Sequence, residues 1–183
     1  MRKLILIISV LVAVSCGTQK VVDTAVETTA NKEKTALSSD TKDEISVENL
    51  EIEWLDFETA IERNKKKPKY IFIDVYTDWC GWCKKMDVST FVAPEVVKYM
   101  NKHFYSVKMD AEMREAIAYN EKLYEFKQYT PRAGYNTLAF SLLGGKMSFP
   151  SFVILDKREA KRGTIMGYKT ESVFLTELQK YVK

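Results

Sequence analysis

Short apolar runs and longer polar stretches alternate along the chain, and the spacing within each run assigns most of its elements. Trp54, Phe57, Ala60 and Ile61 recur at intervals that predict a first helix over residues 56–66. Pro68 closes the connection to Tyr70-Ile71-Phe72-Ile73-Asp74-Val75-Tyr76, which is dense in β-branched and aromatic residues as a central buried strand should be. Asp74 is the exception in that apolar run. A helix is expected to start at Cys80-Gly81-Trp82-Cys83 and to carry Met86. Thr90 to Ala93 reads as a break, followed by a second helix with Pro94 near its first turn. Val96, Val97, Met100 and Phe104 form the apolar side of that helix.

Residues 104–109 read as another strand. The stretch 111–127 fits two patterns. Met113, Ile117, Asn120 and Tyr124 match a helix loosely, whereas Ile117/Tyr119 and Tyr124/Phe126 alternate about Asn120-Glu121 as a hairpin would, and the hairpin is the preferred reading. Leu138 to Leu143 predicts a short helix ended by Gly144-Gly145. Ser151 to Leu155 is a strand, Asp156 to Arg162 its polar turn, and Gly163 to Tyr168 the returning strand. Thr170-Glu171 opens a last helix with Val173, Phe174, Leu178 and Tyr181 on its apolar face. A β-α-β order early and a β-hairpin plus helix late predict an α/β fold, a central mixed β-sheet flanked by helices on both faces.

The first residues follow another logic. Met1-Arg2-Lys3 is a positive start, and Leu4 to Val14 is an apolar run broken only by Ser9, too short to span a bilayer but suited to a signal peptide. Ala13-Val14-Ser15-Cys16 resembles the bacterial lipobox, in which the cysteine becomes the lipidated N-terminus; the pattern favours Leu where Ala13 stands. Residues 1–15 are therefore expected to be a lipoprotein signal peptide, with Cys16 lipidated. Ordinary secretion with an incidental Cys16 thiol is the other reading. Residues 16–46 contain no aromatic residue and no apolar periodicity, so they cannot bury enough surface to offset their ordering entropy. They read as a flexible tether rather than a marginal amphipathic helix, which leaves 47–183 as one domain.

Composition narrows the class. The 183 residues are 46% hydrophobic and 12% aromatic, which excludes a disordered chain. The formal charge of +3 includes Arg2 and Lys3, and without them 26 basic residues face 25 acidic ones, so no basic patch argues for nucleic acid. The three cysteines form an odd set, and a lipidated Cys16 leaves one pair.

That pair carries the chemistry. A strand running directly into Cys-x-x-Cys at the start of a helix places both sulfurs in the first turn, within reach of a disulfide. The unsatisfied N–H groups of that turn point toward Cys80 and stabilise its thiolate, so Cys80 is the expected attacking thiol. Cys83, one turn inside, is the expected resolving thiol that releases the mixed disulfide.

Residues 70–85, with Trp79-Cys80-Gly81-Trp82-Cys83-Lys84 at their heart, resemble the thioredoxin superfamily. The longer stretch from Asp74 through Thr90-Phe91, Pro94-Glu95-Val96 and Lys108-Met109-Asp110 is similar to thioredoxin-like domains of bacterial thiol–disulfide interchange proteins and exported thioredoxin-like lipoproteins. The resemblance covers about residues 50–183 and implies a thioredoxin-like fold with an insertion before the cis-proline strand. It further implies that Asp74, six positions before Cys80, is the buried acid that accepts the proton of Cys83, and that Lys108 neighbours it. Phe149-Pro150-Ser151 matches the cis-proline position, whose backbone edge would lie opposite Cys80. Plainer alternatives stand beside each: Asp74 as a helix-capping strand-end acid, Lys108 as a solvated strand residue, Pro150 as an ordinary trans turn proline. Trp82 serves either packing or a substrate surface. The elongated segment 112–147, with Tyr129-Thr130-Pro131-Arg132-Ala133-Gly134-Tyr135, is either a substrate-selecting elaboration near Pro150 or an insertion without function.

Zinc would need two further ligands beside Cys80 and Cys83, and only His103, placed after a helix away from the motif, is on offer. Haem attachment would need His where Lys84 stands. The expectation is thus no metal and no cofactor. The resemblance implies a membrane-anchored reductase of disulfides in exported proteins, facing the periplasm, fed by a membrane electron donor and monomeric. The absence of a histidine between the cysteines favours reduction over oxidation. The competing readings are a non-catalytic binding or chaperone-like module on the same scaffold, and a disulfide isomerase or oxidase.

Overall fold

The computed structural model describes residues 51–182. The expected signal peptide, the expected tether, Cys16 and the expected domain start at residue 47 lie outside the described residues.

The elements follow from local chemistry in chain order. Strand β1 is Trp54–Leu55 and helix α1 is Phe57–Lys66. Asp56 separates them: its carboxylate accepts from the Thr59 N–H at 2.7 Å and the Thr59 hydroxyl at 2.8 Å, capping the helix while its own backbone stays extended. Trp54, whose spacing continues that of the helix, lies before the expected residues 56–66 and belongs to a strand. Strand β2 is Tyr70–Tyr76, helix α2 Gly81–Asp87, and a short 3-10 turn covers Thr90–Val92. Helix α3 is Pro94–His103, so His103 is its last residue rather than the one after it. Strand β3, Phe104–Asp110, follows at once.

Residues 117–136 form two hairpins. In the first, β4 (Ile117–Tyr119) pairs with β5 (Lys122–Tyr124), and Asn120 and Glu121 turn with φ of 49° and 60°. Two left-handed residues in a two-residue loop match the twist of the flanking strands, and the helical reading of this stretch falls away. The second, β6 (Phe126–Thr130) with β7 (Ala133–Asn136), is not visible in the hydrophobic pattern. Its register shifts between Gln128 and Thr130, and a bulge of that kind destroys the two-residue period by which a strand is recognised. Helix α4 (Thr137–Leu142), strands β8 (Ser151–Leu155) and β9 (Lys161–Met166), and helix α5 (Glu171–Gln179) complete the order. Strand β9 starts two residues before the expected Gly163.

Five strands make the central sheet in the order β1-β3-β2-β8-β9. Strands β1, β3 and β2 run parallel, and β2–β8 and β8–β9 are antiparallel. Ile71 to Val75 are buried throughout, and alternation divides them between two cores. Ile71, Ile73 and Val75 face α1 and α4, packing with Phe57, Ile61 and Leu138. Phe72 faces α2, α3 and α5, packing with Met86, Met100, Phe174 and Leu178. Asp74 shares the parity of Phe72 and so points to the face that α2 covers. On α5, Phe174 and Leu178 are fully buried, but Val173 is 46% exposed and does not belong to the apolar face expected for it.

Candidate active site

Strand β2 delivers the chain to Thr77, whose carbonyl accepts from the Cys80 N–H at 3.0 Å. That turn sets Cys80 as the N-cap of α2, just outside the helix, with Cys83 in its first turn. The two cysteines are disulfide-bonded, with Cα atoms 5.3 Å apart, inside the usual range for such a bridge. Residue exposure hardly separates them, at 5% for Cys80 and 3% for Cys83. Hydrogen bonding does: the Cys83 N–H donates to Cys80 Sγ at 3.1 Å. On reduction that donor faces a sulfur able to carry charge, where a charge-assisted bond is about twice as strong as a neutral one. Trp79 and Trp82, each directly before one of the cysteines, are 65% and 57% exposed. Gly81 has no neighbouring atom near the place a Cβ would occupy, so packing does not demand glycine there.

Asp74 is 1% exposed and lies within the sheet, in register with Lys108 on β3 and Phe152 on β8. It caps no helix. Lys108 Nζ donates to Asp74 Oδ2 at 2.8 Å and also contacts the Asp87 carboxylate. It sits over the rings of Trp54, Tyr76 and Phe91 at 4.9, 5.1 and 5.4 Å, a half-buried position that a solvated strand residue would not hold. Asp74 Oδ1 is buried without a hydrogen-bond partner. Burial pushes the Asp74 carboxyl up from 3.8 to about 6, outweighing the attraction of Lys108, and the Asp87 charge adds to the rise. Burial works against the Lys108 charge, but Asp74 and Asp87 together hold its pKa above the ordinary value. A carboxyl poised near neutrality can take up and release a proton at working pH.

The Phe149–Pro150 peptide is cis. The Pro150 carbonyl accepts from the Gly167 N–H at 2.8 Å, which ties the cis-proline turn to the residue after β9. The Phe149 ring meets Trp79 nearly edge-on at 5.7 Å, which brings the residue before the proline beside the residue before Cys80.

Several residues at this site were not anticipated. Asp87 was findable, since it lies four positions after Cys83 on the same helix face. Glu112, which accepts from Trp79 Nε1 at 3.1 Å, and Tyr168, whose ring lies 5.2 Å from Trp82, come from distant segments and carry no local signal. The His103 ring lies 4.5 Å from that of Tyr99, tilted by 40°, at the far end of α3. Among the described residues, no group of three or more His, Cys, Asp or Glu could hold a metal ion. Nor is any helix among them long and apolar enough to cross a membrane.

Comparison with known proteins places this geometry in a family. Spermatogenesis-associated protein 20 from Rattus norvegicus is 32% identical over 85 residues, 45% of this chain, and the chain spans about a tenth of that relative's length. A solved DsbH oxidoreductase superposes with a TM-score of 0.53 at 15% identity, covering 79% of this chain and 93% of its own. A thioredoxin from Thermus thermophilus gives a TM-score of 0.51 at 16% identity, covering 70% and 85%. These structures establish the thioredoxin-like fold. The model of the Thioredox_DsbH family, described as a protein of unknown function, DUF255, matches residues 44–156, and the chain belongs to that family.

Proposed function

We propose that the chain is a thiol–disulfide oxidoreductase that reduces disulfides in exported proteins. The observation that carries this reading is the Cys80–Cys83 pair at the start of α2, on the sheet face that also holds the buried Asp74–Lys108 pair. In the reduced chain the Cys80 thiolate attacks one sulfur of a substrate disulfide. An S–S bond forms to Cys80 and the substrate's own S–S bond breaks, releasing a thiolate that takes a proton from water. Cys83 then gives its proton to Asp74 and attacks Cys80 Sγ, which releases the second substrate thiolate and closes Cys80–Cys83. The substrate gains two electrons and the protein dithiol loses them.

Asp74 is suited to this because its neutral and charged forms are close in energy near neutral pH. Lys108 stabilises the carboxylate without quenching it, and Asp87 holds the ammonium from the other side. The leader and Cys16 support a lipid anchor facing the periplasm, with the oxidised protein reset by a membrane dithiol donor. The fold relationship to a DsbH oxidoreductase supports the redox class.

The test is trapping. A Cys83→Ala chain should accumulate a mixed disulfide through Cys80 with oxidised protein targets, and a Cys80→Ser chain should not. Absence of any trapped species, together with no insulin reduction by the native dithiol, would replace this reading with a non-catalytic binding module. A Cys80–Cys83 reduction potential in the strongly oxidising range would reverse the direction of electron flow.

A further inference from the structure

Trp79 and Trp82 each directly precede one of the two cysteines, and they are mounted by different parts of the chain. Trp82 lies 5.2 Å from Tyr168, with the Lys85 ammonium over both rings at 5.4 and 5.3 Å. Trp79 is held by the insertion. Its indole meets Phe149 at 5.7 Å, Phe149 lies 6.2 Å from Tyr135 on β7, and Tyr135 lies 6.2 Å from Tyr129 on β6. Tyr129 in turn stacks on Phe140 of α4 at 4.2 Å. The hairpin that carries Tyr135 is tightly closed, since a Cβ at Gly134 would fall 2.2 Å from the Phe126 ring. An indole fixed at one edge and through Nε1, yet 65% exposed, is a preorganised apolar surface; binding to it costs little ordering entropy.

The two tryptophans meet opposite charges, Glu112 at Trp79 and Lys85 at Trp82. On the Trp79 side, Glu112 accepts from the Trp79 indole while its N–H donates to Asp110 Oδ1 at 2.9 Å, and burial together with the charges of Asp78, Glu112 and Glu115 holds the Asp110 carboxyl above its ordinary pKa. Arg114 of the same segment lies over the Phe126 ring, 3.6 Å from its centre. On the Trp82 side the charge is the Lys85 ammonium, over the Trp82 and Tyr168 rings.

We propose that the β6–β7 insertion makes the site selective for polypeptide disulfides in which an aromatic residue adjoins the attacked cysteine and a basic residue lies beyond it. The substrate ring seats on the wall of Trp79, Phe149 and Tyr135, and the cation meets the acidic rim around Asp110. This rests on the redox reading above. Its chemistry is the same exchange, with the wall and rim deciding which disulfide reaches Cys80.

The experiment uses the reduced full chain and short peptides whose cysteine is disulfide-linked to a chromophoric thiol. The sequences are Phe-Cys with a neighbouring Arg, the same with Glu for Arg, and an Ala-Cys-Ala control. A small non-peptide disulfide reports the exchange chemistry itself. The Phe/Arg peptide should be reduced about tenfold faster than the Ala peptide, the size expected of one aromatic pair with buried ring area, and the Phe/Glu peptide should fall between. In Tyr135→Ala the Phe/Ala rate ratio should drop toward one, and in Tyr135→Phe it should be retained. Equal rates for the three peptides with the native chain overturn the proposal, whether or not Tyr135→Ala folds. An unchanged ratio in a folded Tyr135→Ala chain overturns the role of the insertion. If the small disulfide is not reduced either, the redox reading itself fails and the selectivity with it.

Discussion

Asp74 and Lys108 face each other across two parallel strands, with the ammonium 2.8 Å from a carboxylate that is almost wholly buried. Yet the Asp74 pKa is raised, because one half-buried cation does not repay the cost of burying the charge. Between 3.8 and about 6 the folded protein keeps a proton that the unfolded chain has lost. Stability from the neutral carboxyl is therefore complete at the acid end and is lost as pH rises through about 6. Asp74→Asn should be more stable than the native chain by on the order of 2 kcal/mol at about pH 8, with little difference at about pH 4. Urea unfolding of the oxidised proteins at the two pH values measures it, and an equal difference at both would refute the assignment.

Lys108 and Asp87 pull the Asp74 carboxyl in opposite directions. Removing the cation in Lys108→Met should move its titration upward. Removing the second anion in Asp87→Asn should move it downward, because the repulsion is lost and Lys108 is left to Asp74 alone. Carbon-detected NMR titration of the Asp74 carboxyl reads both shifts. Movement in the same direction would show that the three groups do not act as one network.

Cys80 receives the Cys83 N–H and caps the helix; Cys83 lies inside the first turn. With iodoacetamide near neutral pH, the reduced chain should be alkylated first at Cys80, by about tenfold or more. Mass mapping after brief labelling identifies the site. Preferential modification of Cys83 would exchange the attacking and resolving roles.

Phe72 is the hub of the aromatic core beneath α2, with ring neighbours Trp54, Phe91, Phe104, Phe152 and Phe174 within 6.3 Å. Phe72→Ala should cost about 3–5 kcal/mol, through lost burial and the cavity left behind. Val173→Ala, on the exposed side of α5, should cost no more than about 0.5 kcal/mol. Urea unfolding compares the two, and similar losses would contradict the division of faces on α5.

Elements with an uninterrupted period were legible from residue types alone. Strand β2, helix α3, strand β8 and the turn at Asn120-Glu121 all sit where the pattern puts them. Legibility failed where two signals overlapped. Strand β1 was hidden because Trp54 continues the helical spacing of Phe57 and Ile61, although the helix itself begins beside the expected residue 56. The bulge between Gln128 and Thr130 hid hairpin β6–β7 in the same way.

The Cys80–Cys83 pairing was determined by sequence itself, because a spacing of three at the start of a helix fixes the distance between two sulfurs regardless of what surrounds them. The same local rule could have found Asp87. What tertiary structure decided is everything that depends on distant segments meeting. Lys108 stands beside Asp74 because β3 pairs with β2 in one particular register. Trp79 is held by Phe149 and Glu112 because the loop before β8 and the segment after β3 both return to the start of α2. Spacing along the chain carries the first kind of relationship, and only closed packing carries the second.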